Sequence, residues 1–426
     1  MSLPFTNAAL EDARDRWGDQ AARTAHSTET VGDAAVVAVL EPADATAAAS
    51  MLGWASERRL TVALRGGGSK WTWGAPPIRA DLILSLARLD GAVEHCAGDL
   101  TATLPAGARL GAVNEQLAQA GQWLPLDPLS GPHCTIGGLL ATNDSGPRRL
   151  RHGAPRDLVI GIEMALADGR TAKAGGRVVK NVAGYDLARL LTGSYGSLAA
   201  ITSATFKLAP LPAASCTVVA TAAGPRELGR LAQAIATSPV SPSAVEIDHP
   251  SPRLLVRFES TAAAARQQAD QVIEICVAQG ASTMTLSGAL EADAWSVCGA
   301  ASPDVDDALL KITILPMDLE HVLTLVGQEV RDHGLAWRMF GRATLGVLFC
   351  RLGGSPGQIA GLALKLRAAL APRSGRVVVL TASTEVKAIV APWGDIGAAA
   401  NIMRAVKTRF DPLGTLCPGG GPGGVA

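Results

Sequence analysis

The chain has 426 residues, 48% of them hydrophobic, and its 38 basic side chains balance its 38 acidic ones. This length exceeds what a single core usually sustains, so we expect two or three domains. The zero net charge argues against an electrostatic surface for nucleic acid or for an anionic membrane. The start of the chain has no basic segment before an apolar core, and the longest uncharged stretch, 208–225, contains prolines, so neither a secretory signal nor a transmembrane segment is predicted.

The first predicted elements form a β-α-β unit that ends in three glycines. The pattern predicts a strand at 36–40, a helix at 43–57, and strands at 61–65 and 82–86. Gly66, Gly67 and Gly68 follow the second of these strands directly. We therefore expect a first lobe at about residues 1–90 with a glycine loop at a strand exit.

A second lobe is predicted over about residues 91–212. It begins with a strand near Thr101 and a helix from about Leu110, and alternating apolar residues at 160–166 precede the turn sequence Asp168-Gly169. A further strand is predicted within 196–210, where Pro210 and Pro212 end it. The two lobes together make a first domain of residues 1–212.

The pattern then changes to one that is repeated. From residue 217, and again from residue 309, the order is strand, helix, strand, strand, helix, strand. Two such β-α-β-β-α-β units predict one antiparallel sheet with its helices on a single face, an α+β cap domain at 213–395. The segment 396–426 contains a last helix that ends near Phe410, because Asp411 precedes a proline.

Two glycine-bearing stretches are the candidate binding loops. The first, "LRGGGSKWTWG" at 64–74, lacks the spacing of a dinucleotide fingerprint, since Trp71 occupies the position of the third glycine. Consecutive glycines can still turn several backbone N–H groups toward one anion, although a tight structural turn explains them as well. The second, "PLDPLSGPHCTIGGLLATNDSGPRR" at 125–149, offers more small and hydroxyl residues than a turn requires. Two such loops are typical of a clamp around a diphosphate cofactor.

With "KNVAGYDLARLLTGSYGSLAAITSATFKLAP" at 180–210 and "FDPLGTLCPGG" at 410–420, these loops resemble the FAD-binding proteins of the vanillyl-alcohol-oxidase type. Within that family, the "GPRR" and "KNVAGYDL" stretches are most similar to the FAD-binding E subunits of bacterial glycolate oxidases. The resemblance covers residues 34–212 and the chain end, and the cap only in layout. It implies an α+β fold with a two-lobed PCMH-type FAD-binding domain and a cap domain with two ferredoxin-like repeats.

The resemblance also implies a cofactor site for FAD. The loops at 65–70 and 135–146 are expected to hold the pyrophosphate, and the backbone near Ile201 is expected beside the adenine. The implied cofactor-binding residues are Arg65, Gly66, Gly67, Gly68, Ser69, Lys70, Pro128, Thr135, Gly138, Thr142, Asn143, Ser145, Gly146 and Ile201.

Two positions bear on how the flavin is held. Ser69 stands where some relatives attach the flavin through a His, so we expect non-covalent FAD. Cys417 stands where relatives often have Asn, which departs from the family pattern. Trp71 and Trp73 are expected to pack under the first loop rather than stack on the flavin.

Candidates for chemistry are few, and no catalytic residue is assigned. His133 precedes the second loop and is the best titratable candidate beside a flavin, with a surface or packing role as the alternative. Arg338, Arg342 and Arg351 lie on predicted cap strands, where they can meet a substrate carboxylate, but solvated strand charges are the simpler expectation. The metal-binding motif H-x-H-x-G-D-G-N of relatives that oxidise 2-hydroxy acids is absent, so no metal site is predicted.

The cysteines bear on where electrons leave. All seven stand singly without a C-x-x-C pair, which fits a reducing compartment and excludes a self-contained iron–sulfur or zinc site of the usual spacing. Electrons from a flavin therefore need a partner that carries iron–sulfur clusters.

Three functional hypotheses follow. The first is the FAD-binding subunit of a glycolate oxidase complex, which contains a larger FAD-binding catalytic subunit and an iron–sulfur subunit and oxidises glycolate to glyoxylate. The second is a stand-alone FAD-dependent 2-hydroxy-acid or alcohol oxidoreductase. The third is a structural subunit that has lost its flavin. The resemblance implies a cytoplasmic location, with a peripheral position at the inner membrane through the partners as the alternative.

Overall fold

The computed structural model describes residues 7–177, 184–298 and 307–424. The start of the "KNVAGYDL" stretch, residues 180–183, lies outside these ranges. The chain divides into two compact units, which we call the first and the second unit. The first unit consists of Met1–Gly146, Gly153–Leu211 and Asp395–Ala426, and the second of Pro147–His152 and Pro212–Gly394.

The first sheet of the first unit is mostly parallel. Its strand order is β1-β4-β6-β5, in which β6 pairs in parallel with both β4 and β5, while β1 runs antiparallel to β4. The predicted β-α-β unit is present as β4-α2-β5, but β6 lies between the two strands that α2 connects. In chain order the elements are α1 (Asn7–Trp17), β1 (Ala22–Thr24), β2 (Thr30–Val31), β3 (Ala34–Ala35), β4 (Ala38–Leu40), α2 (Ala45–Glu57), β5 (Val62–Arg65) and β6 (Leu82–Ser85).

The second sheet of the first unit is antiparallel, with the order β11-β10-β12-β8-β7. The predicted hairpin turn is confirmed, since Gly169 has φ +86° and joins β10 to β11. The elements are β7 (Glu94–Cys96), β8 (Thr101–Pro105), α3 (Leu110–Ala118), β9 (Gln122–Trp123), α4 (Ile136–Thr142), α5 (Arg149–His152, in the second unit), α6 (Pro155–Leu158), β10 (Val159–Ala165), β11 (Thr171–Gly175), α7 (Leu187–Leu191), β12 (Ala200–Lys207) and β13 (Ala209–Pro210).

The second unit contains one eight-stranded antiparallel sheet, with the order β17-β14-β16-β15-β19-β20-β18-β21. The predicted repeats form its two halves, which meet where β15 pairs with β19. The elements are β14 (Ala214–Thr221), α8 (Pro225–Ala236), β15 (Ala244–His249), β16 (Arg253–Ser260), α9 (Ala262–Ala278), β17 (Ser282–Leu286), α10 (Gly288–Val297), β18 (Ala308–Thr313), α11 (Leu319–Asp332), β19 (Ala336–Arg342), β20 (Val347–Gly353), α12 (Pro356–Leu370), β21 (Arg376–Ala382) and α13 (Thr384–Ile389).

Helices α8, α9, α11 and α12 build the core of this unit against the sheet. Helix α8 is amphipathic, and its apolar stripe of Leu228, Leu231 and Ile235 is buried in the core. The pattern predicts a strand at 344–352, but β20 begins only at Val347, because residues 343–345 form a 3-10 turn before it. Gly346 sets that turn with φ +64°, and a Cβ there would lie 2.1 Å from the carbonyl oxygen of Ile314.

The end of the chain returns to the first sheet of the first unit. Helix α14 (Ala399–Phe410) ends where the sequence predicts, at Asp411. Residues beyond it pair with β5: the N–H of Val62 donates to the Thr415 carbonyl at 2.7 Å, and the N–H of Cys417 donates to the Val62 carbonyl at 2.9 Å. The last segment therefore lies along the strand that leads into the glycine run.

Candidate active site

The glycine run leaves β5 at a point where another loop approaches closely. A Cβ on Gly66 would lie 2.4 Å from Oγ1 of Thr135, and a Cβ on Gly67 would lie 3.2 Å from Cγ2 of the same threonine. Gly68 has φ +77°, a backbone conformation that L side chains rarely adopt. Glycine is thus required at these positions for two separate reasons, contact and conformation.

Thr135 joins the two predicted loops. It is the N-cap residue of α4, where its Oγ1 accepts a hydrogen bond from the N–H of Gly138 at 3.4 Å. The same oxygen accepts a hydrogen bond from the N–H of Gly67 at 3.3 Å. One hydroxyl therefore fixes the spacing between the glycine run and the second loop.

Both loops border one cleft within the first unit. It encloses about 1060 Å³ of empty space, a figure that includes the part open to solvent. Ten of the fourteen predicted cofactor-binding residues line it: Arg65, Gly66, Gly67, Gly68, Ser69, Lys70, Thr135, Gly138, Thr142 and Ile201.

The other four predicted residues, all near the second loop, are not among those that line the cleft. Asn143 is the C-cap of α4 with φ +50°, and its Oδ1 accepts from the N–H of Arg156 at 3.3 Å. A Cβ on Gly146 would lie 1.6 Å from the Asp127 carbonyl oxygen, so this glycine is needed for packing. Pro128 precedes a turn in which its carbonyl accepts from the N–H of Gly131 at 2.9 Å, and Ser145 is buried.

Sequence reasoning missed several residues that line the cleft. The sequence around Tyr195 reads Gly193-Ser194-Tyr195-Gly196, a small-residue stretch that could have indicated a tight turn, and Tyr195 has φ +55° there. Its backbone N–H donates to the Ala141 carbonyl at 2.8 Å, and burial raises the pKa of its phenol. The missed residues also include Pro76, Pro77, Leu86, Ala106, Gly196 and Gly420.

Cys417 is also in the lining, although the family pattern places Asn there. It is 6% exposed and has φ +40°. Burial raises the pKa of its thiol, so the side chain is an uncharged group in the wall of the cleft.

Trp71 and Trp73 both line the cleft, beside an ion-pair network. The indole N–H of Trp71 donates to the Thr30 carbonyl at 2.7 Å. Arg23 pairs with Glu29 at 2.7 Å, and Arg65 does so at the same distance; together they hold the pKa of the Glu29 carboxyl well below its usual range. Trp71 therefore has a fixed structural partner in addition to its place in the wall.

The titratable candidates outside the loops have other surroundings. His133 is exposed and is not in the cleft lining. The expectation of a solvated charge is wrong for Arg342, which is 2% exposed and lies 3.3 Å from Glu246. Arg338 donates to Asp248 at 3.0 Å, and Arg351 lies 5.8 Å from the ring centre of Phe340. The charges of Arg338 and Arg342 are balanced by carboxylates on the neighbouring strand β15.

Among the described residues, 7–177, 184–298 and 307–424, no helix combines the length and the apolar character that a membrane span needs. No group of three or more His, Cys, Asp or Glu side chains there is arranged to hold a metal ion.

A family model described as FAD binding domain matches residues 36–175 of this chain. The chain is 36% identical over 183 residues to glycolate oxidase subunit GlcD of Bacillus subtilis, covering 43% of this chain and 39% of that one. It is 36% identical over 172 residues to D-lactate dehydrogenase of Archaeoglobus fulgidus, covering 40% of this chain and 38% of that one. It is 39% identical over 153 residues to glycolate oxidase subunit GlcE of Escherichia coli, covering 36% of this chain and 43% of that one. Each match spans about two fifths of the relative's own length.

A solved structure extends the likeness to the fold of the whole chain. The structure of 4-ethylphenol oxidase from Gulosibacter chungangensis in complex with isoeugenol superposes with a TM-score of 0.76 at 14% identity, covering 98% of this chain and 97% of that one. The predicted fold class is confirmed: this is the α+β fold of the PCMH-type FAD-binding oxidases, and FAD is the cofactor of its FAD-binding domain.

The residues of the cleft fit this cofactor. The glycine run exposes backbone beside Thr135 where a side chain would clash, and backbone N–H groups in such a turn suit phosphate oxygens. Lys70 places a buried ammonium in the same wall without a hydrogen-bond partner among the described residues. A cationic, glycine-lined wall is suited to a diphosphate.

Proposed function

We propose that this chain is an FAD-dependent oxidoreductase of the glycolate oxidase and D-2-hydroxy-acid dehydrogenase group. It holds FAD non-covalently in the cleft of the first unit. Of the fourteen residues inferred from the resemblance, the ten that line the cleft are proposed to contact FAD, and the other four are proposed to shape the second loop. The observation that carries this proposal is the cleft itself, where two glycine-bearing loops joined through Thr135 meet in a domain that matches an FAD-binding family. Residues 1–212 with 396–426 form the proposed FAD-binding domain, and 213–395 the cap.

More narrowly, we propose that the chain is the FAD-binding subunit of a glycolate-oxidising complex. Oxidation of glycolate to glyoxylate releases two electrons and two protons; bound FAD supplies the electron acceptor, an iron–sulfur partner takes the electrons onward, and the protons go to solvent. The match to a GlcE subunit over the FAD-binding region supports this role. The seven cysteines are all free, and within the described ranges they belong to no group of three or more potential metal ligands, which is compatible with electrons leaving through a partner.

The chain's own residues bind and orient the cofactor in this proposal. Thr135 holds the two loops at a fixed separation, so the diphosphate meets backbone donors already in place. Apolar wall residues such as Leu86, Ala106 and Ile201 give the cofactor an apolar surface to pack against. Ser69, where some relatives carry a linking His, leaves the flavin without a covalent bond.

A second candidate is a stand-alone FAD-dependent oxidoreductase for a 2-hydroxy acid. The observation in its favour is the 36% identity to a D-lactate dehydrogenase over the same region. In that case the chain would reduce its flavin with substrate in the absence of any other subunit.

The deciding experiment compares the isolated chain with the chain captured from its native cell. We expect a yellow protein that releases FAD on denaturation, co-purifies with a larger flavoprotein and a cysteine-rich iron–sulfur protein, and loses flavin absorbance with glycolate only in that assembly. Bleaching of the isolated chain by glycolate or D-lactate would establish the second candidate instead. A chain that neither carries nor takes up flavin would overturn both.

A further inference from the structure

The second loop of the cleft continues directly into a segment that belongs to the second unit. The chain leaves the first unit after Gly146, contributes Pro147–His152 to the second unit, and returns to the first at Gly153. We call Pro147–His152 the crossing segment. Gly146 itself is closely packed, since a Cβ there would lie 1.6 Å from the Asp127 carbonyl oxygen. Because no flexible linker separates the two, the position of the crossing segment sets where the second loop ends.

Arg148 fastens the crossing segment to the end of β16. Its Nη2 donates to Oε1 of Glu259 at 2.7 Å, and its Nε donates to both carboxylate oxygens, at 3.0 and 3.2 Å. The Glu259 side chain is only 4% exposed and the Arg148 side chain 21%. An Arg fork paired with a carboxylate fixes direction as well as distance, and a carboxylate buried this deeply needs its cation. This ion pair therefore holds the crossing segment in one orientation.

The crossing segment has further contacts with the same unit. Nη1 of Arg151 donates to the backbone carbonyl of Glu259 at 3.1 Å, so two arginines converge on one residue. Leu150 packs against the hydrophobic core of the second unit. Strand β16 lies between β14 and β15 in the eight-stranded sheet, and Glu259 pairs with Ser215 of β14. The crossing segment is thus anchored to an interior strand of the sheet.

We propose that Arg148 is a positioning residue for FAD, which couples the cofactor affinity of the second loop to the second unit through Glu259. The inference rests on the proposed placement of FAD in the cleft. A loop whose end is already fixed loses less conformational entropy when it binds a ligand, so the ion pair favours binding. Coupling of this kind is reciprocal, so bound FAD must in turn stabilise the attachment of the crossing segment to β16.

The test measures FAD binding in a double-mutant cycle. Flavin is removed from the full chain, and the dissociation constant of FAD is measured by calorimetry for wild type, R148M, E259Q and R148M/E259Q. We expect each single variant to weaken FAD binding by about 5-fold to 50-fold, within the usual range of coupling between sites. Because both variants break one contact, the double variant should bind no more weakly than the weaker single variant. R148K keeps the charge and should restore part of the affinity.

Hydrogen exchange separates positioning from a merely structural role. In wild type, FAD should slow the amide exchange of β16, and R148M should lose this response even at temperatures where it is fully folded. The matched control is R266M, which breaks a pair with Asp270 on α9 whose side chains are 71% and 56% exposed, and it should change neither measurement. If R148M does not fold, E259Q and the double variant carry the comparison without an unpaired buried carboxylate.

The possible outcomes are distinct. A folded R148M that binds FAD like wild type, or single losses that add up in the double variant, would overturn the role of Arg148. An equal loss in R266M would overturn it as well, because the effect would then not depend on the contact with Glu259. A wild-type chain that binds no FAD would refute the proposed site itself, which is a different result.

Discussion

Lys407 and Asp411, one turn apart at the end of α14, form an ion pair whose side chains are 3% and 0% exposed. Nζ of Lys407 also donates to the carbonyls of Ser197 at 2.8 Å and Leu416 at 2.7 Å, so its three donors are all used. Asp411 accepts in addition from the N–H groups of Thr415 and Leu416. This pair fixes the last segment of the chain, which carries Cys417 to the cleft.

Removing one partner of this pair should be strongly destabilising. K407M leaves a buried carboxylate and two carbonyls without their donor, so we expect a loss of about 3–5 kcal/mol in the free energy of unfolding. Because the segment also carries Cys417 and Gly420 of the wall, FAD content should fall as well. Differential scanning calorimetry and the flavin-to-protein absorbance ratio measure the two effects. R404M, an exposed change on the same helix, is the control, and equal melting temperatures for the two variants would contradict the anchoring role.

Because the two loops are in close contact at Gly66, adding one methyl group there should abolish FAD binding. G66A puts a Cβ at 2.4 Å from Oγ1 of Thr135, so the threonine must move and with it the spacing of the loops. We expect G66A to lose FAD while its far-ultraviolet circular dichroism stays like wild type. G91A, where a Cβ would meet nothing within 4 Å, should bind FAD normally. FAD binding by G66A at the wild-type level would show that the contact does not matter.

Two histidines should make the second unit less stable as the pH is lowered. Burial lowers the pKa of His152 and of His249. When the pKa of a His is lower in the folded state than in the unfolded state, the unfolded chain binds the proton more readily. The free energy of unfolding is therefore highest above the ordinary His pKa of about 6.5 and declines as the pH falls below it. We therefore expect the melting temperature of the second unit to drop between pH 7.5 and pH 5.5.

His249 offers a direct test of this dependence. Its Nδ1 has no hydrogen-bond partner among the described residues, and its ring packs 5.0 Å from that of Trp337. H249F keeps an aromatic ring there and removes the titrating group, so it should reduce the acid-dependent drop. H333F, at an exposed position on the C-terminal end of α11, is the control. A drop that is identical in all three proteins would rule out a contribution from His249.

The sequence predicted the elements well where local signals were strong. The repeated order of elements from residue 217 gave both halves of the eight-stranded sheet, because each amphipathic helix and alternating strand carries its own pattern. The insertion of β6 between β4 and β5 was not predictable in this way, since it depends on long-range strand pairing. Helix α10 was missed because its burial depends on Glu291, a polar residue held by Thr217 and Arg257.

For the cleft too, residues in a local sequence pattern could be predicted, whereas residues brought there by the packing of distant segments could not. The glycine run and Thr135 could be found because their small residues form a local pattern. Tyr195 and Pro76 were missed, because what brings them to the wall is the packing of separate segments. The charge of Arg342 was expected in solvent, yet register places it opposite Glu246 on the next strand, where both side chains are buried. Whether a charged strand residue is buried against a partner or exposed to solvent depends on the pairing of strands, which a single sequence does not reveal.

The backbone at Cys417 predicts which side chains this position accepts. With φ +40°, it lies in the left-handed region, which Asn and Gly adopt more readily than other residues and which β-branched residues strongly avoid. We expect C417N to fold and bind FAD like wild type, whereas C417V should lose about 1–2 kcal/mol of stability and part of its FAD. Thermal unfolding with a flavin assay distinguishes them. C216V is the matched control, because Cys216 is a buried strand residue that pairs with Phe258, where a β-branched side chain is compatible with the backbone. Equal behaviour of C417N and C417V would mean that side-chain contacts, rather than backbone conformation, set the preference at this wall of the cleft.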